Sequence, residues 1–185
     1  ITDAHNLAQL KEINSESNGT ITLNDYTVAL SGSSADVAAA LAGTFAANYT
    51  GNVTLTDDPS VAQLKAINAN TTGSITLQSD DGALSGSAAD LVLAFAGTVT
   101  QHTGTVNITD APNLAQLKEI NAETNGAITL ADTTGALSGS AADLVLAFAG
   151  TVTQHTGTVE ITDAHNLAQL KEINSESNGT ITLND

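Results

Sequence analysis

Gly104-Thr105-Val106-Asn107-Ile108-Thr109-Asp110 is the stretch that decides the fold: a glycine, alternating aliphatic and polar residues, and an aspartate. Side chains alternate between the faces of a strand, so Val106 and Ile108 share one side and Thr105, Asn107 and Thr109 the other. The same signature starts at Gly19, Gly51, Gly73, Gly126, Gly157 and Gly179, and Ile1 to Asp3 read as the tail of a further copy. Successive glycines are separated by 32, 22, 31, 22, 31 and 22 residues, so short and long units alternate and a pair spans 53 or 54. A fixed period of this size marks an array in which each unit buries its apolar face against its neighbours.

The segments between the strands alternate in kind. In the short units, Leu7, Leu10 and Ile13 recur as Val61, Leu64 and Ile67, as Leu114, Leu117 and Ile120, and as Leu167, Leu170 and Ile173, a spacing that predicts an amphipathic helix. Asp3 and its equivalents are expected to cap these helices, with Pro59 and Pro112 near the first turn. Asn14, Asn68, Asn121 and Asn174 follow the last apolar position. The long units carry Leu137-Ser138-Gly139-Ser140-Ala141-Ala142-Asp143 or a variant, in which Ser140 and Asp143 have the spacing of an acidic capping box, followed by a short apolar helix over 144–149.

A strand, a helix and another strand of the same facing form a βα crossover, right-handed almost without exception. The expected fold is therefore α/β: a right-handed β/α solenoid with one stacked parallel sheet, short helices opposite, and alternating 22- and 31-residue turns. Residues 1–185 read as a single continuous array, with paired units near 1–54, 55–107 and 108–160 and a partial fourth at 161–185. On a strand spacing of about 4.8 Å, six turns advance the axis by about 29 Å. Ile1 to Asp25 recurs letter for letter as Ile161 to Asp185, and Ala83 to Val106 as Ala136 to Val159. Neither end reads as an atypical capping unit, so the chain is expected to be a fragment of a longer array or a subunit that stacks end to end.

Composition narrows the partners. Twenty acidic residues against four lysines give a net charge of -16, which repels nucleic acid and anionic membrane surfaces. The absence of cysteine removes disulfides and thiolate chemistry, and no apolar run approaches the roughly 20 residues of a spanning helix.

The short unit, Asp-Ala-x-Asn-Leu-Ala-Gln-Leu-Lys-Glu-Ile-Asn with its following Asn-Gly, resembles the tandem repeats of giant cell-surface and secreted proteins of cyanobacteria and other marine bacteria. It is also similar in outline to a leucine-rich repeat, with Asn14, Asn68, Asn121 and Asn174 in place of that family's turn asparagine. The first resemblance implies an extracellular structural or adhesive role.

Candidate sites compete with structural readings. The recurring Asp3, Asp25, Asp57, Asp110, Asp132, Asp163 and Asp185 are explained by capping and turn formation. Asp57, Asp58, Asp80 and Asp81 fall one turn apart and form the calcium candidate. The threonine ranks suit ice or polysaccharide binding but are interrupted by Ser74, Asn107, Ala127 and Glu160. His5, His102, His155 and His165 are expected at the surface, and no serine has the companions of a nucleophile. The apolar long-unit helix presents Val92, Leu93, Val145 and Leu146 either to its own loop or to a lateral contact with a neighbour. The expected function is a non-enzymatic extracellular repeat protein forming a fibre, sheath or stalk by stacking on itself. The alternative is an adhesive module for polysaccharide, ice or a calcium-dependent surface layer.

Overall fold

The glycine-led stretches from Gly51 onward become parallel strands of three residues, the one at Gly19 makes only an isolated bridge at Ile21, and a second, unforeseen set of strands lies between them. The computed structural model describes residues 1–184, so Asp185 lies outside the described residues. The chain divides into two units, Ile1–Gly82 with Leu93–Thr100, and Ala83–Val92 with Gln101–Asp185.

In the first unit the order is α1 (Leu7–Glu16), β1 (Leu30–Gly32), α2 (Ser34–Leu41), β2 (Val53–Leu55), α3 (Val61–Asn70) and β3 (Ile75–Leu77). The three strands form one parallel sheet in which Leu30 faces Val53 and Val53 faces Ile75. The inward residues Leu30, Val53, Leu55 and Ile75 are buried against Leu10, Val37, Leu41, Leu64 and Ile67 of the helices. Each such side chain contributes roughly 1.5–3 kcal/mol.

The second unit continues with β4 (Leu84–Gly86) and part of α4 (Ala88–Phe95), then β5 (Val106–Ile108), α5 (Leu114–Glu123), β6 (Ile128–Leu130), β7 (Leu137–Gly139), α6 (Ala141–Ala147), β8 (Val159–Ile161), α7 (Leu167–Glu176) and β9 (Ile181–Leu183). It holds two parallel sheets, β4-β5-β6 and β7-β8-β9, with the register of the first sheet repeated: Leu84 to Val106 to Ile128, and Leu137 to Val159 to Ile181.

The single stacked sheet expected from the glycines is thus three short sheets among the described residues. The reason lies at the far edges of β3 and β6. The Ile75 amide donates to the Thr98 carbonyl at 2.8 Å and the Thr100 amide to the Ile75 carbonyl at 2.9 Å. Residues 98–100 therefore occupy the edge that another glycine-led strand would need, and Thr151 and Thr153 do the same to Ile128. Each sheet opens instead on a Leu-Ser-Gly strand, β1, β4 or β7. Spacing gives a physical motive: packed helices stand 8–10 Å apart and strands about 4.8 Å, so two helices per repeat match three strands better than two.

The helix caps also differ from expectation. Short-unit helices are capped by Asn6, Ser60, Asn113 and Asn166, each in a reciprocal capping box with Gln9, Gln63, Gln116 or Gln169. The aspartates sit three residues too early for that task. The long-unit caps fall where the spacing placed them: Asp36, Asp90 and Asp143 amides donate to Ser33, Ser87 and Ser140 hydroxyls.

Candidate assembly surface

The residues that recur in every repeat hold one turn to the next. Asp57, Asp110 and Asp163 each follow a strand, and each carboxylate accepts from the first amide of the long-unit helix in the preceding turn: Ser34 at 2.7 Å, Ala88 at 2.8 Å and Ala141 at 2.8 Å. Those amides have no partner within their own helix, so the aspartates satisfy an obligatory donor and complement the positive helix end. At the opposite end, the asparagines donate to carbonyls of the helix in the following turn. Asn14 reaches Ala39 at 2.6 Å, Asn121 reaches Leu146, Ala147 and Ala149 at 2.8 to 3.1 Å, and Asn68 reaches Leu93, Ala94 and Ala96. A long-unit helix is therefore closed at its start by the next turn and at its finish by the previous one.

Two ion pairs add to the same seam. Lys11 donates to Asp36, and Lys118 to Asp143 at 2.7 Å. The lysine, with the capping serine, holds each carboxyl below the ordinary aspartate range. Asp25 and Asp132 are lowered by a different cause, the hydroxyl and amide of Thr27 and Thr134 in a local turn.

Three of the four histidines expected at the surface are buried: His5, His102 and His155. His102 and His155 occupy the place that Tyr49 takes one repeat earlier, since Tyr49, His102 and His155 bridge Thr71, Thr124 and Ser177 in turn. A flat ring at this position closes the interior of the wide turn, which explains the burial. The Tyr49 hydroxyl donates to the Val28 carbonyl at 2.6 Å, so the His5 Nε2–H donates to its oxygen at 3.1 Å. Burial raises the Tyr49 phenol to about 12; it lowers His5 against the opposing pull of Asp25, and His155 against that of the Gly135 backbone and Asp132.

The calcium candidates Asp57, Asp58 and Asp81 each have a described neighbour. Asp57 holds α2, the Asp58 carboxyl lies against Gly82, and Asp81 accepts from Ser79. Among the described residues, no three His, Asp or Glu side chains gather closely enough to hold a metal ion. Of the lateral candidates, Val92 and Val145 are half-buried, whereas Leu93 and Leu146 are 50% and 57% exposed. The outward strand positions form mixed polar rows: Asn107 donates to Ser85 at 3.0 Å, and Ser138 to Glu160 at 2.6 Å.

The model of one protein family, the coiled stalk of trimeric autotransporter adhesins, matches residues 2–31, 97–138 and 149–185, more than half of the chain. The chain belongs to that family. The stalk family is a surface-exposed, structural part of an adhesin rather than an enzyme, which places the chain among repeated cell-surface proteins. The resemblance to giant cyanobacterial repeat proteins holds at that coarser level. The matched stretches fold here into ten-residue helices and three-residue strands. No curated protein and no solved structure matches the chain. Among the described residues, no helix is long and apolar enough to cross a membrane.

Proposed function

We propose that the chain is a length of adhesin stalk: a β/α solenoid that acts as a mechanical spacer at the cell surface and continues by stacking repeat upon repeat. The observation that supports this most directly is the reciprocal closure of the long-unit helices, with Asp57, Asp110 and Asp163 from one side and Asn14, Asn68 and Asn121 from the other. Among the described residues, the polar side chains that recur are engaged in joining neighbouring turns.

Length is the property to measure. Three strands and two helices per 53-residue repeat extend a stalk by about 45–60 Å per three repeats, well above the figure implied by one strand per glycine. Small-angle scattering on chains carrying one, two and three of these 160-residue periods tests the reading. The maximum dimension is expected to grow by a constant step; growth with the cube root of mass, as for a globule, overturns it.

A subsidiary reading concerns width. Leu93 and Leu146 each leave an apolar side chain in water at the same position of successive repeats, which favours lateral contact between stalks. Replacing both with serine is expected to abolish bundling in electron micrographs; unchanged bundles would assign the contact elsewhere.

A further inference from the structure

Three of the seven glycine-led stretches are entered through asparagine, at Asn18-Gly19, Asn125-Gly126 and Asn178-Gly179, whereas the other four have Thr50, Thr72, Thr103 or Thr156 before the glycine. At an Asn-Gly step the asparagine side chain is open to attack by its own backbone, because glycine has no Cβ to hinder the amide nitrogen that follows. The fold cannot relieve this by changing the glycine. A Cβ on Gly126 would collide with the Gly104 carbonyl of the preceding turn, and one on Gly179 with the Gly157 carbonyl. A glycine imposed by stacking therefore meets an exposed asparagine at Asn125, in the joint between α5 and β6. That joint is well bonded. The buried Thr124 hydroxyl accepts from the Gly126 amide at 2.9 Å and donates to the His102 carbonyl at 3.1 Å. The Asn125 amide donates to the same carbonyl at 2.8 Å, and its side-chain nitrogen donates to Gln101 Oε1 at 2.9 Å.

We propose that Asn125 is a site of spontaneous deamidation and that the Thr124 hydroxyl holds it shut in the folded chain. The reaction needs only water. The Gly126 amide gives its proton to hydroxide, its nitrogen bonds to Asn125 Cγ, the bond from Cγ to Nδ2 breaks, and the side-chain nitrogen takes a proton from water and leaves as ammonia. Water then opens the five-membered imide at either carbonyl, leaving aspartate or, with the main chain rerouted through Cγ, isoaspartate. Nothing is oxidised or reduced. Before the ring can close, the Gly126 amide must leave Thr124 and the Asn125 side chain must leave Gln101. The rate therefore follows the small fraction of time for which the joint is open. Isoaspartate adds a carbon to the main chain just ahead of Gly126, which would carry β6 off its register with Val106, Asn107 and Ile108. A transient opening is thereby made permanent. Thr71 makes the same bond to Gly73 at 3.0 Å with Thr72 in the place of Asn125, so the bond belongs to the turn and becomes protective only where asparagine precedes the glycine. Before Gly179 the bond is made by Ser177 at 3.2 Å, with Asn178 between them.

The wild-type chain supplies the first comparison. Samples kept in warm, mildly alkaline buffer, folded or unfolded in urea, are digested, and the converted fraction of Asn125 is read by mass spectrometry, with isoaspartate told from aspartate by its fragmentation. Conversion in the folded chain is expected to be at least about tenfold slower than in the unfolded one. Thr124→Val keeps the branched shape and removes the hydroxyl, and it is expected to speed folded-state conversion roughly fivefold or more. Thr124→Ser, the residue found at the equivalent Ser177, should stay near the wild-type rate. Ser177→Ala repeats the test at Asn178, where a smaller side chain spares the fold if Thr124→Val does not, and circular dichroism checks that each variant is folded. Equal rates in folded and unfolded wild-type chains, no conversion at Asn125 in either, or folded Thr124→Val and Ser177→Ala chains that convert no faster than wild type overturn the proposal. The stalk reading is judged separately, by the dimensions of covalently joined periods.

Discussion

The N-terminal and C-terminal segments, Ile1–Asn24 and Ile161–Asn184, have one sequence and two environments. In the first, Leu10, Ile21, Leu23 and His5 are buried and Ile1 and Ile13 are partly open; in the second, Ile161 and Ile173 are sealed while Leu167 and Leu183 are open and His165 is half-buried. Helix and caps are the same in both, from the Asn6 or Asn166 capping box to the ten-residue span. Local sequence thus determines local structure here, and burial is conferred by whichever turn lies alongside. A repeat has two apolar faces, and each is completed by a different neighbour.

That comparison can be broken or sharpened by paired substitutions. The largest difference is expected for Leu10→Ala against Leu170→Ala. Leu10 is fully buried and Leu170 half-buried, so the first should cost roughly 2–5 kcal/mol in urea denaturation and the second clearly less. Equal losses would show that the open segment is covered in solution. Next comes Asn14→Ala against Asn174→Ala: the first breaks the hydrogen bond to Ala39 at a cost of about 1 kcal/mol, and the second should stay within about 0.5 kcal/mol of wild type.

The smallest effect is expected from mild acid. Burial holds the folded-state values of His5 and His155 below that of a free imidazole. The folded chain therefore binds fewer protons than the unfolded one, and the stability these groups contribute is complete above pH about 6.5 and lost as pH falls through that value toward their folded-state values. Asp25, Asp36, Asp132 and Asp143, also lowered, add their loss further down, as pH falls through the carboxylate range. Thermal midpoints should decline gently between about pH 7 and about pH 5.5, and His155→Tyr, which installs the ring found at Tyr49, should flatten that decline. A His155→Tyr chain whose midpoint responds to acid as the wild type's does would contradict the burial of that ring.

What was legible in the sequence is what a single unit dictates. The strands at Val53, Ile75, Val106, Ile128, Val159 and Ile181, the apolar stripe of Leu114, Leu117 and Ile120, and the Ser140–Asp143 cap all follow from spacing within one stretch. The strands Leu30–Gly32, Leu84–Gly86 and Leu137–Gly139 were hidden because three residues containing Ser and Gly read as loop; their signal was recurrence before each Ser-x-x-Asp. The roles of Asp57 and Asn121 were hidden for another reason. Their partners lie 23 and 25 or more residues away, and no local pattern reveals which helix end a side chain from the next turn will meet. The burial of His102 and His155 is of the same kind, since a wide turn is closed from within by whichever ring stands there.

The two-sided closure of the long-unit helices has a consequence for how such a protein changes length. α2 needs Asn14 from the turn before it and Asp57 from the turn after it, and α6 needs Asn121 and Asp163 in the same way. Removing a lone 22-residue unit would set two long-unit helices side by side and leave an end of each open, and removing a lone 31-residue unit would strand the asparagine and aspartate that close its helix. Gain or loss of a whole pair restores every bond. Recombination between copies is therefore tolerated in steps of two helices, and a lineage can lengthen or shorten this molecule as one adjusts a ruler, by whole graduations.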